Sequence, residues 1–248
     1  MKKFGLIAAC IALMLCQNTK AQTNIQEMYD FGRGHFATTL EMNHQDAWGY
    51  TKAYTDIYHI QQNYPTGFYS EISRGLNFWQ NTVLADLTFH VEWNGGQFAR
   101  NAWLVGLEYL LHNHDYSYSV AFQVLLLYKN IRVPLTGDTQ IKGANVPLQL
   151  SAVWNMKDLL DVEGLDFCGF LDFWWENNVW DESGTATTCT ILCEPQVWYN
   201  VGQFFDCENL HIGGEVELAY NYNQASPEML PDRKGFTIAP CLGIKWNF

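Results

Sequence analysis

The sequence predicts an all-β protein: a single transmembrane antiparallel β-barrel of about twelve strands, exported behind an N-terminal signal peptide. Three observations carry this expectation. Segments of about ten residues alternate apolar and polar side chains along most of the chain, as membrane-barrel strands do. Charged residues are 16% and aromatics 15% of the sequence, whereas a soluble protein carries ~25% charge. The first residues form an export leader.

The leader opens Met1-Lys2-Lys3, continues as an apolar run from Phe4 to Cys16, and closes on Thr19-Lys20-Ala21. A spanning helix needs roughly 20 apolar residues, so this run is too short to be an anchor. Cleavage after Ala21 is expected, making 1–21 the signal peptide and 22–248 the barrel. Leu15 before Cys16 is not the small residue that lipid attachment wants. The expected location is the outer membrane of a Gram-negative bacterium, with outer-membrane lipid as a partner.

The formal net charge is -12. Lys2, Lys3 and Lys20 fall in the leader with no acid beside them, so the mature chain is more acidic still. Such a charge excludes nucleic acid as a partner and excludes docking on anionic lipid through basic residues. The mature cysteines are Cys168, Cys189, Cys193, Cys207 and Cys241. An odd number leaves at least one outside any internal disulfide. None are spaced as CxxC, so a zinc ribbon is unsupported.

The clearest strand runs Leu84 to Asn94. Ala85, Leu87, Phe89, Val91 and Trp93 share one face; Asp86, Thr88, His90, Glu92 and Asn94 share the other, because side chains alternate along a strand. Further apolar faces are Trp103 to Leu111, Tyr118 to Tyr128, Leu148 to Met156, Leu165 to Trp175, Leu210 to Tyr222 and Phe236 to Phe248. In Tyr118–Tyr128 aromatics flank aliphatics, as a lipid-facing strand arranges them. Weaker strands are expected at Ile25–Phe31, Thr38–Asn43, Trp48–Ile60, Phe68–Phe78 and Cys189–Val201. An even number returns both termini to one side. Pro195 and Pro240 fall inside these strands and each calls for a bulge or a strand end. With the termini in the periplasm, the outward connections Lys129–Asn145, Asn177–Thr188 and Asn223–Gly235 are long. The inward ones near Gln80–Val83 and His112–Ser117 are short, the asymmetry expected of such barrels.

If the apolar faces meet lipid, the alternate faces line the interior. Asp86, His90, Glu92, Glu108, Asp166, Asp172, Glu215 and Glu217 are the candidate lining residues. Acidic linings favour cations and neutral polar solutes. The competing reading is that a barrel interior is polar anyway and these groups pair with Arg74, Arg100 or Lys245. Parity also turns Tyr69, Phe170, Trp174 and Trp198 inward, where rings could stack on a solute or simply fill space.

No metal or cofactor is expected. His112 and His114 share a face, as do His90 and Glu92, but neither pair defines a coordination geometry. No catalytic set is expected either. Outer-membrane phospholipases and lipid A deacylases use a His-x-Ser pair, and no histidine here has Ser two residues on. Neither GxSxG nor a phosphate-binding glycine loop occurs.

Three stretches resemble an uncharacterised outer-membrane family distantly similar to the nucleoside-specific channel protein Tsx. They are Ile25-Gln26-Glu27-Met28-Tyr29-Asp30-Phe31-Gly32, Val91-Glu92-Trp93-Asn94-Gly95-Gly96 and Gly243-Ile244-Lys245-Trp246-Asn247-Phe248. The resemblance implies a twelve-stranded monomeric barrel with a narrow pore that passes nucleosides. Outer-membrane barrels commonly end on an aromatic residue that the barrel-assembly machinery reads, which implies that role for Phe248. The expected function is therefore passive uptake of small polar solutes, nucleosides favoured. A plugged or structural barrel and a lipid-modifying barrel enzyme are the alternatives.

Overall fold

The structure, a computed structural model, describes residues 21–59, 67–96, 99–132, 140–142, 148–181, 184–222 and 235–248. Residues 1–20 of the expected leader, Ile60, 133–139 and 143–145 of the expected connection Lys129–Asn145, and the connection 223–234 lie outside the described residues; Ala21 already belongs to the first strand.

The strands are β1 (Ala21–Asp30), β2 (His35–Asp46), β3 (Gly49–His59), β4 (Gly67–Leu76), β5 (Leu87–Gly96), β6 (Ala99–His112), β7 (Tyr118–Arg132), β8 (Gln140–Lys142), β9 (Leu148–Met156), β10 (Leu165–Asp181), β11 (Gly184–Cys193), β12 (Gln196–Asn200), β13 (Leu210–Tyr220) and β14 (Phe236–Asn247). Each pairs antiparallel with its neighbour. β14 closes on β1 from Asn24↔Asn247 to Asp30↔Cys241. The closing residue Phe248 donates its amide to the Thr23 carbonyl. Short β8 pairs with the C-terminal end of β7, and β11 with β12 fills one position between β10 and β13. Among the described residues the result is a closed barrel of twelve positions, as the alternation predicts. Among the described residues, closure leaves the twelve-position wall without a free sheet edge, which hydrocarbon demands of any strand that crosses it; β8 stands beyond that wall.

Pro195 explains the interruption between β11 and β12. It has no N–H to donate, so the ladder lapses, yet Leu171↔Cys193 and Cys168↔Gln196 keep one register. Glu194 still donates to the Phe170 carbonyl, and Val216 donates to that of Pro195. The outcome is a strand end without a bulge. Pro240 sits in unbroken β14 opposite Val216, where β1 has just ended, so neither a bulge nor a strand end was needed there.

The outward face is apolar. On β7, Phe122, Val124, Leu126 and Tyr128 are 50–65% exposed, and on β14 Ile238, Leu242 and Ile244 are 54–62% exposed. The residues between them on β7, Ala121, Gln123 and Leu125, are buried inside. Among the described residues no helix is long and apolar enough to cross a membrane. A barrel with its grease outside and its polar groups inside is built to sit in hydrocarbon.

Three sequence expectations need correction. Asn177–Thr188 is not a loop: β10 and β11 extend through it, paired as far as Val179↔Thr185 and Asp181↔Gly184. Its run of β-branched residues favours extended backbone although the apolar alternation has stopped. Likewise, β7 continues beyond Lys129 to Arg132 and pairs with β8. The connection expected at Gln80–Val83 is also longer, because β4 ends at Leu76 and β5 starts at Leu87. Asp86 therefore lies in a turn at the rim and not on the lining face of β5.

Candidate functional site

Register decides which side chains meet inside. On β3, Tyr50 faces Gly75 of β4, which in turn faces His90 of β5. A Cβ on Gly75 would lie 2.3 Å from the Tyr50 ring. Its absence lets Tyr50 lie across β4 and reach β5 and β6. There Tyr50 Oη donates to Glu108 Oε2 at 2.6 Å and lies 3.1 Å from His90 Nδ1. Gln123 Nε2 donates to the same Glu108 oxygen at 2.6 Å, and Thr88 Oγ1 to the other at 3.3 Å. His90 Nε2 sits 3.0 Å from Glu92 Oε2. His90 is 1% and Glu108 4% exposed, so both are packed into the wall beneath the lining. Each buried group here has a partner, as burial requires. Gly75→Val is expected to displace Tyr50 and cost about 1–3 kcal/mol by overpacking. Urea unfolding checks this; an unchanged midpoint would mean that Tyr50 does not use that hollow.

A second cluster lies toward the opposite end, where turn 31–34 joins β1 to β2. Arg33 folds inward from that turn. Its guanidinium binds Asp30 and Glu217, tying the turn to β13 across β14. Asp56, held by Thr39, faces inward from β3, and Glu71, held by Tyr69, faces inward from β4. Glu194 and Glu215 approach from β11–β13, and Glu215 accepts from Gln196 at 2.9 Å. Asp56, Glu194, Glu215 and Arg33 all lie within electrostatic reach of one another, although β3 and β12 stand on far sides of the ring. The lumen is narrow here. Beside it Trp174, Leu192 and Ala219 form an apolar knot with Leu127, Phe170 and Tyr222.

The third region lies toward the end that carries the start of β1 and the end of β14. Trp198 of β12 packs over Gly213 of β13 and donates its indole N–H to Gln196 Oε1 at 2.9 Å. Lys245 of β14 lies over that ring, 4.6 Å from its centroid. Next to Lys245 in register is Gln26 of β1. Gln26 Nε2 donates to Asn24 Oδ1 at 3.0 Å and to Glu41 Oε2 at 3.3 Å. Gln26 is 2% exposed and its Oε1 has no hydrogen-bond partner, a state that costs about 1–3 kcal/mol for a buried group. Glu41 also points inward by register, opposite Tyr54 and Asn24, and is exposed.

The expected lining residues are thus dispersed over these regions. His90, Glu92 and Glu108 meet in one wall. Glu217 belongs to the Arg33 bridge and Glu215 to the narrow zone. Asp172 faces inward from β10 with Ser151 and Gln149 as hydrogen-bond partners. Asp166 faces inward opposite Trp198. Trp174 and Trp198 point inward but are 4% and 0% exposed; neighbours cover both rings, so neither offers a stacking face in this state. Asp86 pairs with His112 at the rim, at 3.3 Å.

Arg74 does not neutralise the lining. Its register places it outside, where it binds Asp46 and Thr51. The Arg100 side chain lies outside the described residues. In the described walls hydroxyls, amides and imidazoles satisfy most of the carboxylates. In the turn after β6, Tyr116 stacks at 3.8 Å on His112, the last residue of that strand. Asp115 there accepts from the Ser117 hydroxyl and amide, which hold its carboxyl below the usual range. Among the described residues no group of three or more His, Cys, Asp or Glu side chains is placed to hold a metal ion. All five described cysteines are free thiols.

Sequence reasoning missed Asp30, Arg33, Glu41, Asp56, Glu71 and Glu194. The parity of β3 was a usable signal for Asp56, since Tyr50, Lys52, Tyr54, Asp56 and Tyr58 share a face. Arg33 lies in a turn, where parity says nothing.

Fold and lining together define a membrane-type β-barrel with a polar, acid-rich interior. The chain belongs to the family described as Domain of unknown function (DUF5020), whose sequence profile matches residues 21–248. Among solved structures the chain is similar to one titled "KdgM porin", at 12% identity and a TM-score of 0.47, with 92% of this chain and 99% of that chain covered. Comparison with curated proteins gives no match.

Proposed function

We propose that this protein is an outer-membrane channel of a Gram-negative bacterium, exported behind residues 1–21, that passes small polar solutes passively, nucleosides favoured. The carrying observation is Glu41. Its register points it into the barrel and it is nevertheless exposed, so water reaches the interior at that level. The surplus of inward carboxylates favours cations and neutral polar solutes over anions. Rings beside carboxylates, such as Tyr69 with Glu71 and Tyr54 at 6.1 Å from Tyr69, suit a base and ribose hydroxyls. The aromatic end of β14, Phe248, is the expected handle for barrel assembly.

A plugged barrel is the second reading. The apolar knot around Trp174 and the Arg33 bridge favour it, because both fill the narrow zone.

Single-channel conductance of the refolded protein in planar bilayers separates the two. The expected result is cation-preferring steps that nucleosides reduce. Glu41→Gln and Glu92→Gln should weaken the cation preference, and Asp86→Asn at the rim should change it less. A folded barrel without conductance would overturn the channel and leave the plug.

A further inference from the structure

The region around Lys245 holds hydrogen-bonding capacity that the protein itself does not use. Lys245 is 8% exposed. Its ammonium rests on the Trp198 face, and among the described residues no hydrogen bond or ion pair engages it. Gln26, beside it in register, carries a buried carbonyl oxygen with no partner. Cys168 and Asp166 on β10 and Glu41 on β2 lie within electrostatic reach of the ammonium, and among the described residues no salt bridge joins either carboxylate to it. Glu41 spends Oε2 on Asn24 and Gln26.

A donor and an unpartnered acceptor are therefore neighbours in register, beside the level at which Glu41 shows that water enters. The chemistry that satisfies such a set is a hydroxyl, which accepts one hydrogen bond and donates another. Two adjacent hydroxyls could accept from Lys245 and donate to Gln26 Oε1 and a carboxylate. A free anion would match Lys245 but would meet Glu41 and Asp166. A simple cation would match the carboxylates but would meet Lys245.

We propose that Lys245, Gln26, Glu41 and Asp166 form a lumen subsite for the vicinal diol of a neutral polyhydroxyl solute. The ribose of a nucleoside and a free sugar both present this group. The subsite gives a substrate class to the channel reading and rests on that reading for its role, although binding itself can be measured without conduction.

The test is calorimetric titration of the detergent-folded protein with uridine, 2′,3′-dideoxyuridine and ribose. Uridine is expected to bind about ten-fold or more tightly than its dideoxy analogue, which lacks the diol. Lys245→Met and Gln26→Leu, each checked for folding by heat-modified gel mobility, should reduce that ratio to near one. Ribose binding as well as uridine would assign the site to sugars in general; uridine binding alone would assign it to nucleosides. Equal binding of uridine and the dideoxy compound, or no binding by a folded barrel, overturns the subsite. Conductance measured on the same preparation keeps that failure distinct from failure of the channel.

Discussion

Val124→Arg is expected to destabilise the barrel in lipid vesicles by about 2–4 kcal/mol, the cost of a cation at the bilayer midplane. Val124 lies midway along β7, 56% exposed, between outward Leu107 and Leu150. A guanidinium there has no wet side within easy reach. Tyr128→Arg, on the same face near the strand end, should cost only about 0–1 kcal/mol, because the side chain can reach the headgroups. Urea unfolding in vesicles measures both. Equal, small costs at the two positions would mean that this face does not meet hydrocarbon, and the membrane assignment would fail.

Arg33→Met is expected to cost roughly 2–4 kcal/mol, since removing one partner of a buried ion pair leaves charge without its counterpart. The Asp30 and Glu217 side chains are 4% and 10% exposed, while Arg33 is 21% exposed; access to water at Arg33 holds the figure below that of a fully buried pair. Arg33→Lys should recover only part, because an ammonium lacks the fork that serves two carboxylates at once. Adding Glu217→Gln to Arg33→Met should also return part of the loss. In the channel, Arg33→Met removes a bulky cation from the narrow zone. Unitary conductance and cation preference are both expected to rise. A stable variant with unchanged conductance would show that the bridge neither narrows nor polarises the lumen.

How much was legible depends on the strand. In the middle of β5 to β7 the outward face is apolar, so Phe89, Val91, Leu107 and Val124 announce both the strand and its facing. In β2 to β4 the outward face carries Thr38, Thr51, Thr55 and Ser70, while Tyr54, Tyr58 and Tyr69 point inward. Composition on the two faces is nearly matched there, and period two gives little contrast. The outward Thr38 even binds Glu27 and lies 2.7 Å from His59. Hence Asp56 and Glu71 were passed over while Glu92 and Glu217 were found. The error at Asp86 was one of strand edge, where alternation continues for a few residues after the ladder has stopped.

The sequence alone determined the class: a chain poor in charge that alternates apolar and polar residues over about twelve segments. Those are properties of single segments, because alternation follows from the geometry of one strand. Only the tertiary structure decided which inward groups meet. Tyr50 touches Glu108 through the space above Gly75, Arg33 reaches Glu217, and Lys245 settles on Trp198 beside an unsatisfied Gln26. Such contacts join residues far apart in sequence, and strand stagger and barrel closure set them. Neither is written in the pattern of any one segment.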